Sequence, residues 1–206
     1  MAKAREERIK ARKAKTFRRR VLTIAVIVVV VVALVWFYQS SRQPPAASNP
    51  TKVIIRTNMG DITIELFADM PITTNNFKNL VSQGAFDSTS GVNVTFHRVV
   101  DGLVIQGGDV SVKGINAATI KDELPNKHSN IRGSVAMAKT TAPDSANSQF
   151  FINLVDNSKD LDSNYSVFGR VVDGMNVVDA IAKVQVDTND KPLQDVMIFR
   201  AEIVEP

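Results

Sequence analysis

An uninterrupted apolar run near the N-terminus is the feature that most constrains this chain. Residues 21–38 contain no charged side chain, and Val, Ile, Ala and Leu dominate them. As an α-helix rising roughly 1.5 Å per residue, the run would be about 27 Å long, close to the thickness of a bilayer core. A helix is the only single segment that satisfies its own backbone in lipid, so the β-branched residues do not prevent it. We therefore predict one transmembrane helix over residues 21–38.

The residues that flank this run predict its orientation. Residues 1–20 hold 10 Lys or Arg and 2 Asp or Glu, whereas residues 36–38 are Trp, Phe and Tyr. Positive side chains favour the cytoplasmic side, and aromatic side chains favour the membrane interface. We predict a single-pass protein of the cell membrane, with a cytoplasmic N-terminus and an extracytoplasmic C-terminal domain. The alternative is a cleaved signal peptide, which the long basic leader disfavours; either alternative exports the domain.

The net charge of +4 belongs to the N-terminal tail. Residues 21–206 carry 15 basic and 19 acidic side chains, so the folded part has no basic excess for a nucleic acid. The chain has two histidines, His97 and His128, and no cysteine, and no metal-ligand spacing accompanies them. We interpret His97 as structural, and we expect neither a nucleic-acid partner nor a metal.

The periodicity of the chain changes after a short linker. Residues 39–50 are rich in Pro, Ser and Ala, and from residue 51 short alternating runs begin. Predicted strands cover residues 52–56, 62–66, 92–99, 134–138, 149–154, 165–171 and 196–204, and predicted helices cover residues 73–81 and 174–184. This pattern predicts a mainly β domain over residues 51–206, in which two helices plug a closed antiparallel barrel. The pattern alone does not separate a barrel from a sandwich.

Three segments of this domain are more informative about its family than the periodicity of its strands and helices. They are FHRVVDGLVIQGGD at 96–109, SVAMA at 134–138 with NSQFFIN at 147–153, and VFGRVVDGM at 167–175. In order and spacing they resemble the signatures of the cyclophilin family, over roughly residues 52–204. AKTTAPDSA at 138–146 resembles the bacterial branch. The resemblance implies a closed eight-stranded β-barrel capped by two α-helices, and peptidyl-prolyl cis-trans isomerase activity without a cofactor.

That reaction has one physical requirement. Rotation about an X-Pro bond breaks amide conjugation, with a barrier of about 18–20 kcal/mol, so the catalyst must bind the twisted amide more tightly than the planar one. The twisted prolyl nitrogen gains a lone pair, to which a charged donor can hydrogen-bond. The resemblance assigns this donor to Arg98, and it assigns the binding of substrate backbone near the rotating carbonyl to Gln106. These two are the predicted catalytic residues.

An apolar pocket that excludes water (the proline cup) must hold the proline ring while the bond rotates. The resemblance implies a set of substrate-binding residues with Phe151 at its floor: Phe96, Leu103, Val104, Met137, Ala138, Gln149, Phe151, Leu161 and Tyr165. Leu103 and Val104 stand where the family usually has phenylalanine and methionine, so we expect a wider and less aromatic cup. Phe150 and Phe151 are adjacent, so they face opposite sides of a strand, and Phe150 is expected in the core.

Three classes of function remain open. The first is a monomeric enzyme that isomerises X-Pro bonds in exported polypeptides near the membrane. The second is a non-catalytic module that binds proline-containing peptides, and the third is a chaperone that does not depend on Arg98. A serine hydrolase is disfavoured because the chain has no G-x-S-x-G segment.

Overall fold

A computed structural model of the chain describes residues 31, 36, 50–89 and 91–204. The predictions for the basic tail, the apolar run and the linker therefore lie outside the described residues, apart from Val31 and Trp36, which are helical, and Pro50. Among the residues described, no helix combines the length and the apolar character that crossing a bilayer requires. The chain divides into two compact units, of which Asn49–Pro206 contains the sheet described next.

Nine strands form one sheet in the described part of this unit. They are β1 (Lys52–Thr57), β2 (Gly60–Leu66), β3 (Val94–Thr95), β4 (Arg98–Val100), β5 (Val104–Gly107), β6 (Ser134–Met137), β7 (Phe150–Asn153), β8 (Val167–Asp173) and β9 (Met197–Val204). The helices are α1 (Pro71–Ser82), α2 (Ser158–Leu161) and α3 (Met175–Ala182), with a 3-10 turn at Val110–Lys113. The mainly β architecture with two longer helices is confirmed, whereas β5 and α2 were not predicted.

The sheet is open, which corrects the prediction of a closed eight-stranded barrel. Its order is β3-β9-β1-β2-β8-β6-β7-β5-β4, every neighbouring pair is antiparallel, and the end strands β3 and β4 do not pair with each other. The reason is a break at Phe96 and His97, which divides the predicted strand 92–99 in two. A single backbone hydrogen bond, from Gly108 N–H to the Thr95 carbonyl at 3.3 Å, links β3 to the residue after β5.

A proline and a carboxylate from a distant loop stabilise the N-terminus of helix α1. Pro71 occupies the start of the helix, where its missing N–H has no intrahelical partner to lose. The next two backbone N–H groups, of Ile72 and Thr73, donate to the carboxylate of Glu123 at 3.0 and 2.8 Å. A carboxylate at a helix N-terminus also complements the helix dipole. Glu123 therefore ties the loop before β6 to α1.

Phenylalanine rings fill the centre of the core between the sheet and α1. Phe150 of β7 meets Phe77, Phe86 and Phe96 edge-on, with ring centroids 5.4 to 5.9 Å apart. All four side chains are buried. Edge-to-face packing at these separations adds to the hydrophobic contribution of the buried rings. This core supports the opposite face of β7, where the candidate site lies.

Gly174, between β8 and α3, has a conformation that other residues rarely adopt. Its φ is +87°, and an added Cβ would lie 2.3 Å from the carbonyl oxygen of Asp61. Because backbone strain and a steric conflict add together, we expect Gly174→Ala to lower the free energy of unfolding by about 2–4 kcal/mol. Gly114→Ala is the matched control, since Gly114 has φ +73° but no neighbour within 4 Å of its Cβ position. Urea denaturation measures both variants, and equal losses would contradict the steric explanation.

Candidate active site

The two predicted catalytic residues lie in a row of side chains that crosses five strands. Arg98 of β4 is directly opposite Gln106 of β5, and Gln106 is directly opposite Phe151 of β7. The row continues to Ala136 of β6 and Val167 of β8. Directly opposite side chains of antiparallel strands share one face, about 4.5–5.5 Å apart. Strand register therefore brings a charged donor, an amide and an apolar ring to the same surface.

This row opens into a pocket of about 190 Å³. The residues that line it are Arg98, Leu103, Val104, Gln106, Ala138, Lys139, Phe151, Leu161 and Tyr165. Its base is apolar, since Phe151 packs with the buried Val104, Ala136 and Val167. The ring of Tyr165 meets Phe151 edge-on at 5.4 Å. An apolar base beneath a polar rim suits a small ring that is attached to a peptide backbone.

Alternation along the strands decides which side chains reach this pocket. Phe151 points to the pocket, and Phe150 points to the main core, as predicted. On β6, Ala136 faces the pocket side and the next residue, Met137, is buried in the main core. Met137 was predicted to bind substrate, but it does not line the pocket, because adjacent residues of a strand face opposite ways.

Phe96 is the second predicted substrate-binding residue that lies elsewhere. It is fully buried in the main core, and its ring packs against Phe150. In a regular strand Phe96 and Arg98 would share a face. The break at Phe96 and His97 shifts the alternation, so Phe96 and Val99, three residues apart, both enter the core. Arg98 is thereby turned to the pocket while Phe96 is not.

Gln149 lies beside the pocket rather than in its lining. The side-chain amide of Gln106 donates from Nε2 to Oε1 of Gln149 at 2.9 Å. This hydrogen bond restricts the rotation of the Gln106 side chain. Gln149 therefore orients the amide that is predicted to bind substrate backbone.

Arg98 has an acidic partner that the sequence analysis missed. Its Nη2 lies 3.2 Å from Oδ2 of Asp190, and both side chains are 42% exposed. Asp190 is 92 residues further along the chain, in the loop between α3 and β9. No periodicity or motif connects two such positions, so only the folded structure shows the pair.

Lys139 is a lining residue that the sequence analysis also missed. Its Nζ lies 2.6 Å from Oδ2 of Asp122, and the two side chains are only 11% and 13% exposed. The same carboxylate oxygen accepts the backbone N–H of Asp144 at 3.1 Å. Asp122 therefore balances the Lys139 charge and fixes the loop that follows β6. The only sequence signal was that Lys139 directly follows the predicted residue Ala138.

Neither histidine lines the pocket. Burial lowers the pKa of His97, although the charge of Asp109 acts in the opposite direction. His128 stacks on the ring of Phe67, with centroids 3.9 Å apart, and its Nε2 lies 2.9 Å from Oδ1 of Asp69. Across residues 50–89 and 91–204, no cluster of His, Asp and Glu side chains is arranged to hold a metal ion.

Comparison with known proteins decides the family. Residues 52–203 match the family described as "Cyclophilin type peptidyl-prolyl cis-trans isomerase/CLD". The chain belongs to the cyclophilin family. The match covers nearly the same range, residues 52–204, over which the sequence motifs indicated the resemblance.

Relatives of this cyclophilin carry the name of the enzyme. It is 41% identical to a peptidyl-prolyl cis-trans isomerase of Acinetobacter baylyi, over 74% of this chain and 85% of that protein. It is also 41% identical to peptidyl-prolyl cis-trans isomerase B of Escherichia coli, over 74% of this chain and 99% of that protein. The predicted enzyme class is thereby confirmed: this cyclophilin is a peptidyl-prolyl cis-trans isomerase.

The fold of this cyclophilin is similar to a solved structure. A cyclophilin type peptidyl-prolyl cis-trans isomerase of Cryptosporidium parvum has a TM-score of 0.69 and 28% identity, over 77% of this chain and 99% of that one. The crystal structure of the same protein in the presence of the dipeptide Ala-Pro has a TM-score of 0.67 and 29% identity, over 75% of this chain and 99% of that one. The cyclophilin-like architecture is therefore confirmed.

Proposed function

We propose that this cyclophilin accelerates rotation about X-Pro bonds in exported polypeptides, as a monomer held at the outer face of the cell membrane. The proposed catalytic activity is supported by the arrangement of Arg98, Gln106 and Phe151, which lie in one row and line one pocket. The presence of an Ala-Pro dipeptide with the similar Cryptosporidium protein supports a proline-containing peptide as the ligand.

The apolar base of the pocket holds the proline ring in this proposal. Phe151 and Val104 line the pocket, so the face of a ring placed against them loses contact with water. Burial of apolar area stabilises the bound ring by roughly 25 cal/mol per Å². The ring is then fixed while the residue before proline rotates, because the rest of the peptide lies at the polar rim.

The guanidinium of Arg98 acts on the rotating bond itself. It donates a hydrogen bond to the prolyl nitrogen as that atom loses conjugation and becomes pyramidal. A hydrogen bond from a charged group contributes about 1.5–3 kcal/mol, and each 1.36 kcal/mol corresponds to a tenfold change in rate. Arg98 therefore supplies about one to two orders of magnitude, and the rest comes from the orientation of the peptide by Gln106 and the apolar base.

Catalytic turnover separates this function from the two alternatives. The full-length chain, at a concentration far below that of a proline peptide, should accelerate cis-to-trans relaxation of the whole peptide population. A module that only binds proline peptides would shift at most a stoichiometric fraction. A chaperone that does not use the pocket would suppress aggregation of an unfolded client equally well in the presence of excess proline peptide. Relaxation at the uncatalysed rate would contradict the proposal.

The membrane part of the proposal rests on the sequence. The family match begins at residue 52, and the basic tail, the apolar run and the linker precede it. An anchored enzyme would meet polypeptides as they emerge, when uncatalysed isomerisation, at tens of seconds, is slow compared with other folding steps. The 41% identity to the Acinetobacter and Escherichia proteins supports the bacterial branch.

Fractionation of cells tests the anchor. The chain should remain in the membrane pellet after a high-pH wash. Protease added to spheroplasts should remove the isomerase domain. Val30→Arg, which places a charge in the middle of the apolar run, should reduce insertion because a central Arg costs about 2.5–3.5 kcal/mol. N-terminal sequencing of the mature protein distinguishes an anchor from a cleaved signal peptide. A wild-type chain that is fully released by the wash with an intact N-terminus would contradict the anchor.

A further inference from the structure

We propose that Asp190 is a positioning residue, which holds the Arg98 guanidinium in the orientation needed to reach the prolyl nitrogen. This inference rests on the function proposed above. The starting observation is the contact of 3.2 Å between Asp190 Oδ2 and Arg98 Nη2, at the edge of the pocket.

The turn that carries Asp190 is fixed by hydrogen bonds. Oδ1 of Asp187 accepts the backbone N–H groups of Asn189 at 2.8 Å and of Lys191 at 3.0 Å. The N–H of Asp187 donates to the carbonyl of Lys191 at 2.8 Å, and the N–H of Asp190 donates to the carbonyl of Asp187 at 3.2 Å. The two N–H groups that reach Asp187 lower the pKa of its carboxyl, which keeps it an acceptor. The carboxylate of Asp190 is therefore presented from a closed turn.

The same residue attaches this turn to the strand of Arg98. The backbone N–H of Val99 donates to the carbonyl of Asp190 at 2.8 Å. Asp190 thus makes two contacts with consecutive residues of β4, one through its backbone and one through its side chain. This backbone hydrogen bond fixes the distance between the turn and β4. Because it also restricts the conformations of the loop, the Asp190 carboxylate stays close to the Arg98 guanidinium.

Backbone conformation argues that the side chain of Asp190 has a role beyond stability. Its φ is +62°, a region that glycine adopts without strain and that Asp and Asn adopt at a smaller cost than other side chains. The side chains of Arg98 and Asp190 are each 42% exposed, and ion pairs between exposed side chains contribute little to stability. Glycine would therefore serve the turn at least as well. An aspartate at this position is explained by what its carboxylate does to Arg98.

The geometry leaves Arg98 available for catalysis. The contact involves Nη2, and a guanidinium carries five N–H donors, so the others can point to the substrate. A half-exposed arginine loses much rotational freedom when it is fixed, and a partner that fixes it before substrate arrives removes that cost from the reaction. Asp190 therefore acts through Arg98 and does not touch the substrate.

Asp190→Asn tests the inference, because asparagine keeps the size and tolerates a positive φ but lacks the charge. We expect the rate constant for isomerisation of enzyme-bound proline peptide to fall about 3–10-fold, with the peptide Kd changed less than about twofold. Exchange NMR and titration of the full-length chain measure the two quantities. Asp190→Gly keeps the backbone contact with Val99 and should show the same loss. A turn that simply unfolded would instead change the Kd and the unfolding midpoint.

A matched control removes the same charge outside the pocket. Asp101 forms an exposed ion pair with Lys183 at 2.8 Å, in the turn between β4 and β5, and Asp101→Asn should leave both quantities unchanged. Asp190 variants that turn over like the wild type, while Arg98→Ala is impaired, would overturn this inference alone. If Arg98→Ala also turned over like the wild type, the catalytic role proposed for Arg98 would fail as well. The proposed function itself would fail only if the wild type relaxed the peptide at the uncatalysed rate.

Discussion

Replacing Arg98 with alanine should lower kcat/KM for isomerisation of a proline peptide by about 100-fold. The substitution removes a charged hydrogen bond that forms only with the twisted amide, so it raises the barrier without removing the proline pocket. The expected loss is at the upper end for one such hydrogen bond, because substrate excludes water from the site and strengthens it. A peptide relaxation assay that resolves the cis-to-trans step measures kcat/KM directly.

Arg170→Ala is the matched control for this prediction. Arg170 is also a strand arginine with an acidic partner, Glu65 at 2.8 Å, but it lies on β8 and does not line the pocket. We expect its kcat/KM to stay within about twofold of the wild type, since exposed ion pairs contribute little. Equal losses in the two variants would show that a general change in charge, rather than a specific donor, lowers the rate.

Replacing Phe150 with alanine should lower the free energy of unfolding by about 3–5 kcal/mol. Phe150 is fully buried, and its ring meets those of Phe77, Phe86 and Phe96. Phe77 lies on α1, Phe86 follows α1, and Phe96 lies between β3 and β4. Because all three rings are themselves fully buried in the core, they cannot readily move into the space that the truncation leaves. Urea denaturation, monitored on the full-length chain, measures the loss.

The adjacent substitution Phe151→Ala should have the opposite profile. Phe151 belongs to a smaller cluster beside an existing pocket, so water can enter the space, and we expect a loss of only about 1–3 kcal/mol. Its effect on kcat/KM should be larger, about tenfold or more, because the floor that holds the proline ring is removed. If the two variants lost stability and activity in the same proportions, the division of β7 into a core face and a site face would be wrong.

Much of the fold follows from local sequence patterns. The alternation before and after the Asn-Met-Gly-Asp turn correctly indicated β1 and β2, and the helical spacing of apolar residues indicated α1 and α3. Strand β5 and helix α2 were missed because each has four residues, too few for a periodicity to register. Their positions depend on the neighbours with which they pack.

Sequence motifs correctly predicted most of the residues that line the candidate site. They failed for residues whose orientation depends on local backbone geometry. Arg98, Gln106 and Phe151 line one pocket, as their roles require. Phe96 and Met137 do not, because a break after β3 and the alternation of β6 turn them to the core. These orientations depend on register rather than on residue type.

Contacts between segments that are distant in the chain could not be predicted from the sequence. The pair of Asp190 with Arg98 joins residues 92 positions apart, and the pair of Asp122 with Lys139 joins loops on either side of β6. Such pairs leave no periodic signal, since each partner lies in a segment whose path is set by the whole fold. Both pairs nevertheless reach the pocket lining, so they influence the site that the motifs indicated.

The central claim is that Arg98 stabilises the rotating amide and contributes little to peptide binding. Exchange NMR with an Ala-Pro-containing peptide, performed on the full-length wild type and on Arg98→Ala, separates the two effects in a single titration. For Arg98→Ala we expect a Kd within about threefold of the wild type and an on-enzyme exchange rate about 100-fold lower. An Arg98→Ala variant that exchanges bound peptide at the wild-type rate would contradict it.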